Sequence, residues 1–445
     1  MKFFRFALPA LVAVAVLVTS SARLPAQDLQ TLDLLVRKGL ITQAEADAVA
    51  KSAAVGVTPR STAVKKLQFG GMLQIQYDWL TTHDSAPGAT PPPAVNQFMV
   101  RRANLEAISD LGNGWGGDLA FNFAAGAQRS APPEAKPTKD NFKKVIIYKT
   151  FGGYGTATAG YQKVNWGQEE NTASSRLKTI ERSTVTFFFD GAYGGPAGGR
   201  LGFGAQHVGL YWDGVVPALD GFFYGAALTN GIQSVRAFGG VREGRAAFNQ
   251  FGYWANAGYQ GQYLGLGYRF GLNLGYGRDS NSTSGAVGVP SQNNAVYGYD
   301  PYVTLTYGGF TLSGEFMQVV VENGRVDALG VTSNAAPYGF IVSPSYQFTP
   351  EWELATRFSY LSTNGRGTAI SPVVRNAQNT FDTVGFDNAW GLYIGFNYYI
   401  IGNAVELSAG YEYTRFLDRE VLPGAPFDGE PASVSGLRTQ LQVMF

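Results

Sequence analysis

From residue 67 onward the chain repeatedly alternates apolar and polar side chains, and the last eleven residues show the pattern most clearly. In Ser435 to Phe445, Leu437, Leu441, Val443 and Phe445 share one face of an extended chain, while Arg438, Gln440 and Gln442 share the other. Side chains in a strand switch face at every residue, so this period of two is a strand signature. Repeated in runs of about ten residues, it specifies an antiparallel transmembrane β-barrel, apolar outside and polar within.

The other end of the chain is different. Lys2 and Arg5 precede an apolar run from Phe6 to Val18, followed by small residues from Thr19 to Ala22. This layout predicts a signal peptide over 1–26, cleaved after Ala22 or Ala26. The run is shorter than the ~20 residues of a spanning helix, and no later stretch is long enough. A membrane protein without helical spans is left with the closed barrel, because every backbone polar group must be paired inside the bilayer. Leu29, Leu32, Leu35 and Val36 at helical spacing, then the capping box Thr42-Gln43-Ala44-Glu45, predict a periplasmic helical segment over 27–54. Residues 55–66 lack periodicity and read as a linker, which leaves 67–445 for the barrel.

Composition narrows the chemistry. There is no cysteine, so strand ladders rather than disulfides must hold the fold. Removing 1–26 lowers Lys plus Arg from 34 to 31 against 33 Asp plus Glu, a near-neutral balance without a nucleic-acid footprint. The 57 Gly, 24 Tyr and 30 Phe suit turn-rich strands and interfacial aromatic girdles. Of the two histidines, His83 is expected in a loop and His207 on the lipid-facing phase of a strand. Neither has a partner for nucleophilic or metal chemistry, so neither enzymatic activity nor a cofactor is expected.

Strands are expected at 67–81, 98–110, 115–124, 142–151, 154–165, 200–212, 220–230, 250–260, 262–277, 297–308, 310–321, 338–348, 351–362, 389–401, 404–416 and 435–445. These sixteen are joined by alternating long and short connections, as in outer-membrane barrels with long loops outside and tight periplasmic turns. Ser183 to Asp190 also has strand propensity. Counting it would make an odd number of strands and put the termini on opposite sides, so it is assigned to the connection 166–199.

Sixteen strands enclose a water-filled channel. The polar phase sends Arg102, Glu106, Arg269, Arg357 and Arg438 into the lumen, together with Gln74, Gln76, Glu315, Glu353, Glu406 and Glu412. The longest connection carries Glu169, Glu170, Arg176, Lys178, Glu181 and Arg182 beside Phe187-Phe188-Phe189. It is the candidate constriction, since opposed charges at a narrowing set ion preference. Lys136, Lys139, Lys143 and Lys144 form a candidate basic mouth that would draw anions.

Several segments resemble one family. They are Leu34 to Thr42, Phe98-Met99-Val100-Arg101-Arg102-Ala103, and Glu169-Glu170 followed by Ser174-Ser175-Arg176 and Ile180-Glu181-Arg182-Ser183. The chain is similar there to the phosphate-selective porins O and P of the bacterial outer membrane. Gly160-Tyr161-Gln162-Lys163 stands where that family has Gly-Gln-Phe-Lys. The resemblance implies a homotrimer of sixteen-stranded barrels, embedded in membrane lipid, with an inward loop at the constriction. It also implies passive diffusion of small hydrophilic solutes and inorganic ions, anions such as phosphate among them. Phosphate-specific members carry an arginine ladder and lysine clusters. Here Glu106, Glu315, Glu353, Glu406 and Glu412 face Arg102, Arg269, Arg357 and Arg438, which predicts a general, weakly selective pore. The alternative reading is a structural or adhesive anchor tethered through the helices of 27–54.

Overall fold

The computed structural model describes residues 64–84, 94–124, 142–190, 201–204, 206–231, 251–279, 294–326, 331–370, 373, 385–420 and 427–445. The expected signal peptide, helical segment and nearly all of the linker lie outside the described residues, as do Lys136 and Lys139.

One sheet contains every strand of the described residues. Its first half comprises β1 (Lys66–Asp84), β2 (Val95–Gly112), β3 (Trp115–Asn122), β4 (Phe142–Thr150), β5 (Gly155–Lys163), β6 (Gln206–Val215), β7 (Phe222–Asn230), β8 (Phe251–Tyr263) and β9 (Leu266–Asp279). The second comprises β10 (Asn294–Tyr307), β11 (Phe310–Val326), β12 (Thr332–Ala335), β13 (Tyr338–Gln347), β14 (Trp352–Ser362), β15 (Phe386–Ile401), β16 (Val405–Glu420), β17 (Phe427–Gly429) and β18 (Ala432–Met444). Strands β12 and β17 are short extensions of long hairpins. The other sixteen are the staves of a barrel, and each expected strand overlaps one of them. The seam closes antiparallel between β1 and β18, in register from Met72 opposite Met444 to Asp84 opposite Ala432.

Connections alternate as the sequence requires. The turns Leu264-Gly265 and Gly308-Gly309 have positive φ at both residues, the geometry whose twist matches the flanking strands of a tight hairpin. Long connections follow β1, β3, β5, β7, β9, β11, β14 and β16.

Burial separates the two faces. On β15, Leu392, Ile394 and Phe396 are 47%, 52% and 47% exposed, whereas Tyr393 between them is 3% exposed. On β18, Arg438, Gln440 and Gln442 are buried and Leu437 is exposed. The exposed set is an apolar band that only lipid would cover. Tyr259, Tyr268 and Phe270, in ring contact with one another, belong to its aromatic component.

Two expectations change in detail. Strand β6 begins at Gln206 instead of 200, because Leu201 to Gly204 pack inside the barrel. Strand β1 runs on to Asp84 and so includes His83. Ser183 to Asp190 lies in the connection and is not a strand, as expected. Thr184–Asp190 forms a helix, and the Ser183 hydroxyl accepts from the Thr186 amide at 3.1 Å. That is an N-cap bond, which local β-propensity does not foresee.

The lipid face yields a direct test. Ile394→Arg should destabilise the barrel by ~2–4 kcal/mol if the site lies near the bilayer midplane, while Ile394→Leu should be tolerated. Urea titration of folding into liposomes measures both.

Candidate functional site

The connection after β5 turns into the barrel. It carries helix α1 (Gln168–Asn171), a 3-10 turn at Ser174–Arg176 and helix α2 (Thr184–Asp190). Its contacts fall on widely separated staves, so it crosses the lumen as a strap. Asp300 of β10 accepts from the Gly167 amide at 2.8 Å, and Glu315 of β11 accepts from the amides of Gln168 and, at 3.0 Å, Glu169. On the seam, Gln74 donates to the Ser174 carbonyl at 3.1 Å and Gln442 to that of Ser175 at 3.2 Å. Lys178 then reaches Ser345 and Glu353 at 2.7 and 2.6 Å, and Asn397 donates to its carbonyl at 2.9 Å.

An apolar seat holds the far end of the strap. Trp166, Val185, Phe188, Phe189, Leu201 and Phe203 are buried against Val296, Met317, Val319, Val321, Ile341 and Leu361 from the wall. Those wall residues face inward, where a uniformly polar lumen was expected. Burying each such side chain contributes roughly 1.5–3 kcal/mol, enough together to draw the strap out of water.

Charge pairs complete the attachment. Arg357 donates to Glu169 at 2.9 Å, to Thr179 at 3.0 Å and to the Glu181 carbonyl at 2.5 Å. It also lies 3.6 Å from Glu412, which Arg438 holds at 2.7 Å while donating to Asp78 at 2.5 Å. The result is a line of alternating charges from Asp78 on β1 to Glu169 on the strap. Arg438 also donates to the Val373 carbonyl, so the β14–β15 connection dips inward too, burying Ile370 and Val373.

The six expected constriction residues therefore divide by role. Glu169 caps α2 through the amide and hydroxyl of Ser183, at 2.9 and 2.8 Å. Glu170 pairs with Lys163 and Arg182. Burial raises the Glu170 carboxyl, but Arg182 and Lys163 outweigh that and bring it below its ordinary value. Arg182 also donates to the carbonyls of Glu169, Glu170 and Thr172. Glu181 pairs with Arg101 and, at 3.9 Å, Arg102, while Lys178 pairs with Glu353. Arg176 is exposed, and its side chain has no hydrogen bond or ion pair among the described residues.

Two β-bulges enrich the cationic wall. The register between β1 and β2 shifts at Arg101, and that between β3 and β4 shifts at Lys143. A bulge puts two residues opposite one and resets the phase. Arg101 joins Arg102, and Lys143 joins Lys144, on the inner face. Strict alternation places Arg101 in lipid; its only signal in the sequence is the implausibility of an arginine there. Lys143 and Lys144 thus stand on the inner wall of β4, with Lys144 held by Asp118 at 2.7 Å and Glu106 at 3.4 Å. Arg269 lines the exposed lumen of β9, over the Phe223 ring at 4.5 Å.

His207 corrects a further expectation. Leu210 faces outward, so a residue three places away faces inward. His207 is buried against Trp254, with Nε2 3.3 Å from the Phe203 carbonyl.

Residues 73–445 match the phosphate-selective porin O and P family. The chain belongs to that family. No curated protein matches it. Among solved structures, this porin is similar to OmpF of Salmonella typhi in complex with daunomycin, at 12% identity over 86% of this chain and 99% of that one, with a TM-score of 0.53. It is also similar to the anion-selective porin of Comamonas acidovorans (13%, 85% and 99%, 0.52) and to the channel DcaP of Acinetobacter baumannii (9%, 86% and 99%, 0.52). At such identities the likeness concerns the fold. Family and fold together make the protein an outer-membrane channel for small solutes.

Asp190, at the end of α2, is buried, and neither carboxylate oxygen has a hydrogen-bond partner among the described residues. Burial, then Glu170 and Asp300, raise its carboxyl well above the ordinary value. The folded state thus binds this proton more tightly than the unfolded state, and stability falls as pH rises from the unfolded to the folded pKa. Asp190→Asn cannot ionise. Its thermal stability in detergent should match wild type near about pH 4 and exceed it near about pH 8; parallel profiles would contradict this.

Proposed function

We propose that the porin is a general diffusion channel with a weak preference for anions, assembled as a homotrimer, and that it is not an enzyme. The observation that carries the reading is that charges on the strap and the wall beside it are mostly matched: Glu181 with Arg101 and Arg102, Glu169 with Arg357, Glu412 and Asp78 with Arg438, Glu353 with Lys178, and Asp118 with Lys144. Paired charges cancel beyond a Debye length of about 8–10 Å at physiological ionic strength. Among the described residues, the exposed lumenal cations outside such pairs are Arg176 and Arg269, which tip the balance slightly toward anions. Among the described residues Asp300 and Glu315 have no cationic partner in contact, but they are buried and face backbone amides of the strap.

The passive reading is supported by the position of His207, which is packed among aromatic rings and not beside a nucleophile. The sequence patterns support reading 1–26 as an export signal, 27–54 as a periplasmic helical segment and 55–66 as a linker. The trimer is what family membership leads one to expect.

Planar-bilayer recordings in asymmetric KCl should give a small reversal potential of anionic sign that shrinks as salt rises. The unboiled protein should migrate as a trimer on gels. A large anion current blocked by millimolar phosphate would contradict weak selectivity, and a monomer in mild detergent would contradict the assembly.

A further inference from the structure

The wall formed by β10, β11, β13 and β14 changes character along its length. Near the short turns its inner face is polar, and Thr304, Ser313, Glu315, Ser343 and Ser345 line a cavity of about 260 Å³ beneath the strap. Nearer the long loops the same four staves turn apolar, with Val296, Val319, Ile341 and Leu361 buried against α2 and its flanks. Two close approaches show how tightly strap and wall meet there. A Cβ on Gly298 would lie 2.8 Å from the Trp166 ring, and one on Gly339 would lie 2.7 Å from Val185. The cavity is therefore roofed on its loop side.

Elsewhere the strap is fastened stave by stave. Its returning end packs Phe203 on Trp254 of β8, with ring centres 5.1 Å apart. Arg357 of β14 holds the Glu181 carbonyl, and the Glu181 carboxylate reaches Arg101 and Arg102 of β2. Gln74 of β1 grips Ser174, and Lys163 of β5 grips Glu170. Between those last two grips the strap is a bridge. There Asn171 to Ser175 face the wall across a cavity of about 520 Å³, lined by Asn104 and Glu106 of β2, Ala120 of β3, and Lys143 and Lys144 of β4. This cavity touches both ends of the barrel: Lys143 and Gln162 lie at the loop ends of their staves, Asp213 and Phe445 toward the turn ends.

We propose that the lumen has a single through-route, set off the barrel axis between Asn171–Ser175 of the strap and the β2–β4 wall, and that the second cavity is a blind pocket entered from the periplasm. This deepens the general-porin reading and rests on it. A packed apolar seat fills space at the density of an organic crystal, so no hydrated solute crosses it. A branch closed at one end exchanges its contents with the vestibule but carries no current. Selection by size and charge then belongs to the groups along the bridge, with Glu106, Lys143 and Lys144 on the facing wall, and not to the hydroxyl-rich wall of β10–β14.

Because the chain has no cysteine, one thiol at a time can be placed in the full mature chain, and each channel serves as its own control before and after labelling. Glu106→Cys and Ser343→Cys are recorded in planar bilayers with a trimethylammonium-ethyl methanethiosulfonate on both sides, and mass spectrometry measures the extent of reaction. Both thiols should react. Labelled Glu106→Cys should lose conductance about twofold and shift its reversal potential toward anions, whereas labelled Ser343→Cys should keep its conductance within about a tenth. Equal losses at the two sites would make the smaller cavity a second route. Labelling at Glu106→Cys without loss would put the route elsewhere, and a thiol at either site that fails to react would contradict the access proposed for it; each of these results overturns the proposal. A wild-type protein that does not conduct would overturn the porin reading itself, so the two failures are told apart.

Discussion

Water is absent from the hydrocarbon of a bilayer, so every peptide N–H and C=O that crosses it must find its partner in protein. The seam between β1 and β18 meets that requirement for this chain, converting an open sheet with two unsatisfied edges into a sheet with none. Closure also fixes the phase of every stave. Once lipid takes Leu437 and Trp79, the neighbouring Arg438 and Asp78 must face inward, where they satisfy each other. The polar lumen is therefore a consequence of closing the barrel and does not need a separate cause.

Within the lumen the strap follows the same logic. A long segment enters a water-filled space only if the wall offers it more than water does, and this wall offers an apolar seat for Phe188, Phe189 and Phe203 along with carboxylates placed for backbone amides. Buried ion pairs such as Arg357 with Glu169 contribute little net stability over well-packed apolar groups, yet breaking one by removing a partner costs roughly 3–5 kcal/mol. They fix the position of the strap more than they add to stability. What remains open to solutes is what these attachments leave over.

The number and phase of the staves were legible because period-two alternation survives wherever one face meets lipid and the other water. The inward strap was legible from its length and from charges that no exposed loop requires. Other features depend on tertiary context. Arg101 and Lys143 reach the lumen through bulges, which break the alternation from which faces are read. The helix at Thr184–Asp190 depends on a Ser183 cap and on packing that override its β-branched and aromatic composition. Met317, Val319 and Val321 share the inward phase of Glu315, but nothing in a polar lumen foretells that they are apolar and seat the strap. The inward dip of the β14–β15 connection rests on the burial of Ile370 and Val373 and on the contact of Arg438 with the Val373 carbonyl, which have no local signature.

Because the chain has no cysteine, single substitutions can report directly on which side of the wall meets water. Arg269→Cys and Phe270→Cys are adjacent on β9, one beside the lumen and one 50% exposed on the outer face. In proteoliposomes, Arg269→Cys should react with a charged, membrane-impermeant thiol reagent, and Phe270→Cys should not, reacting only with a lipid-soluble maleimide. Equal labelling of the two by the charged reagent would contradict a sealed cylinder with lipid outside and water within.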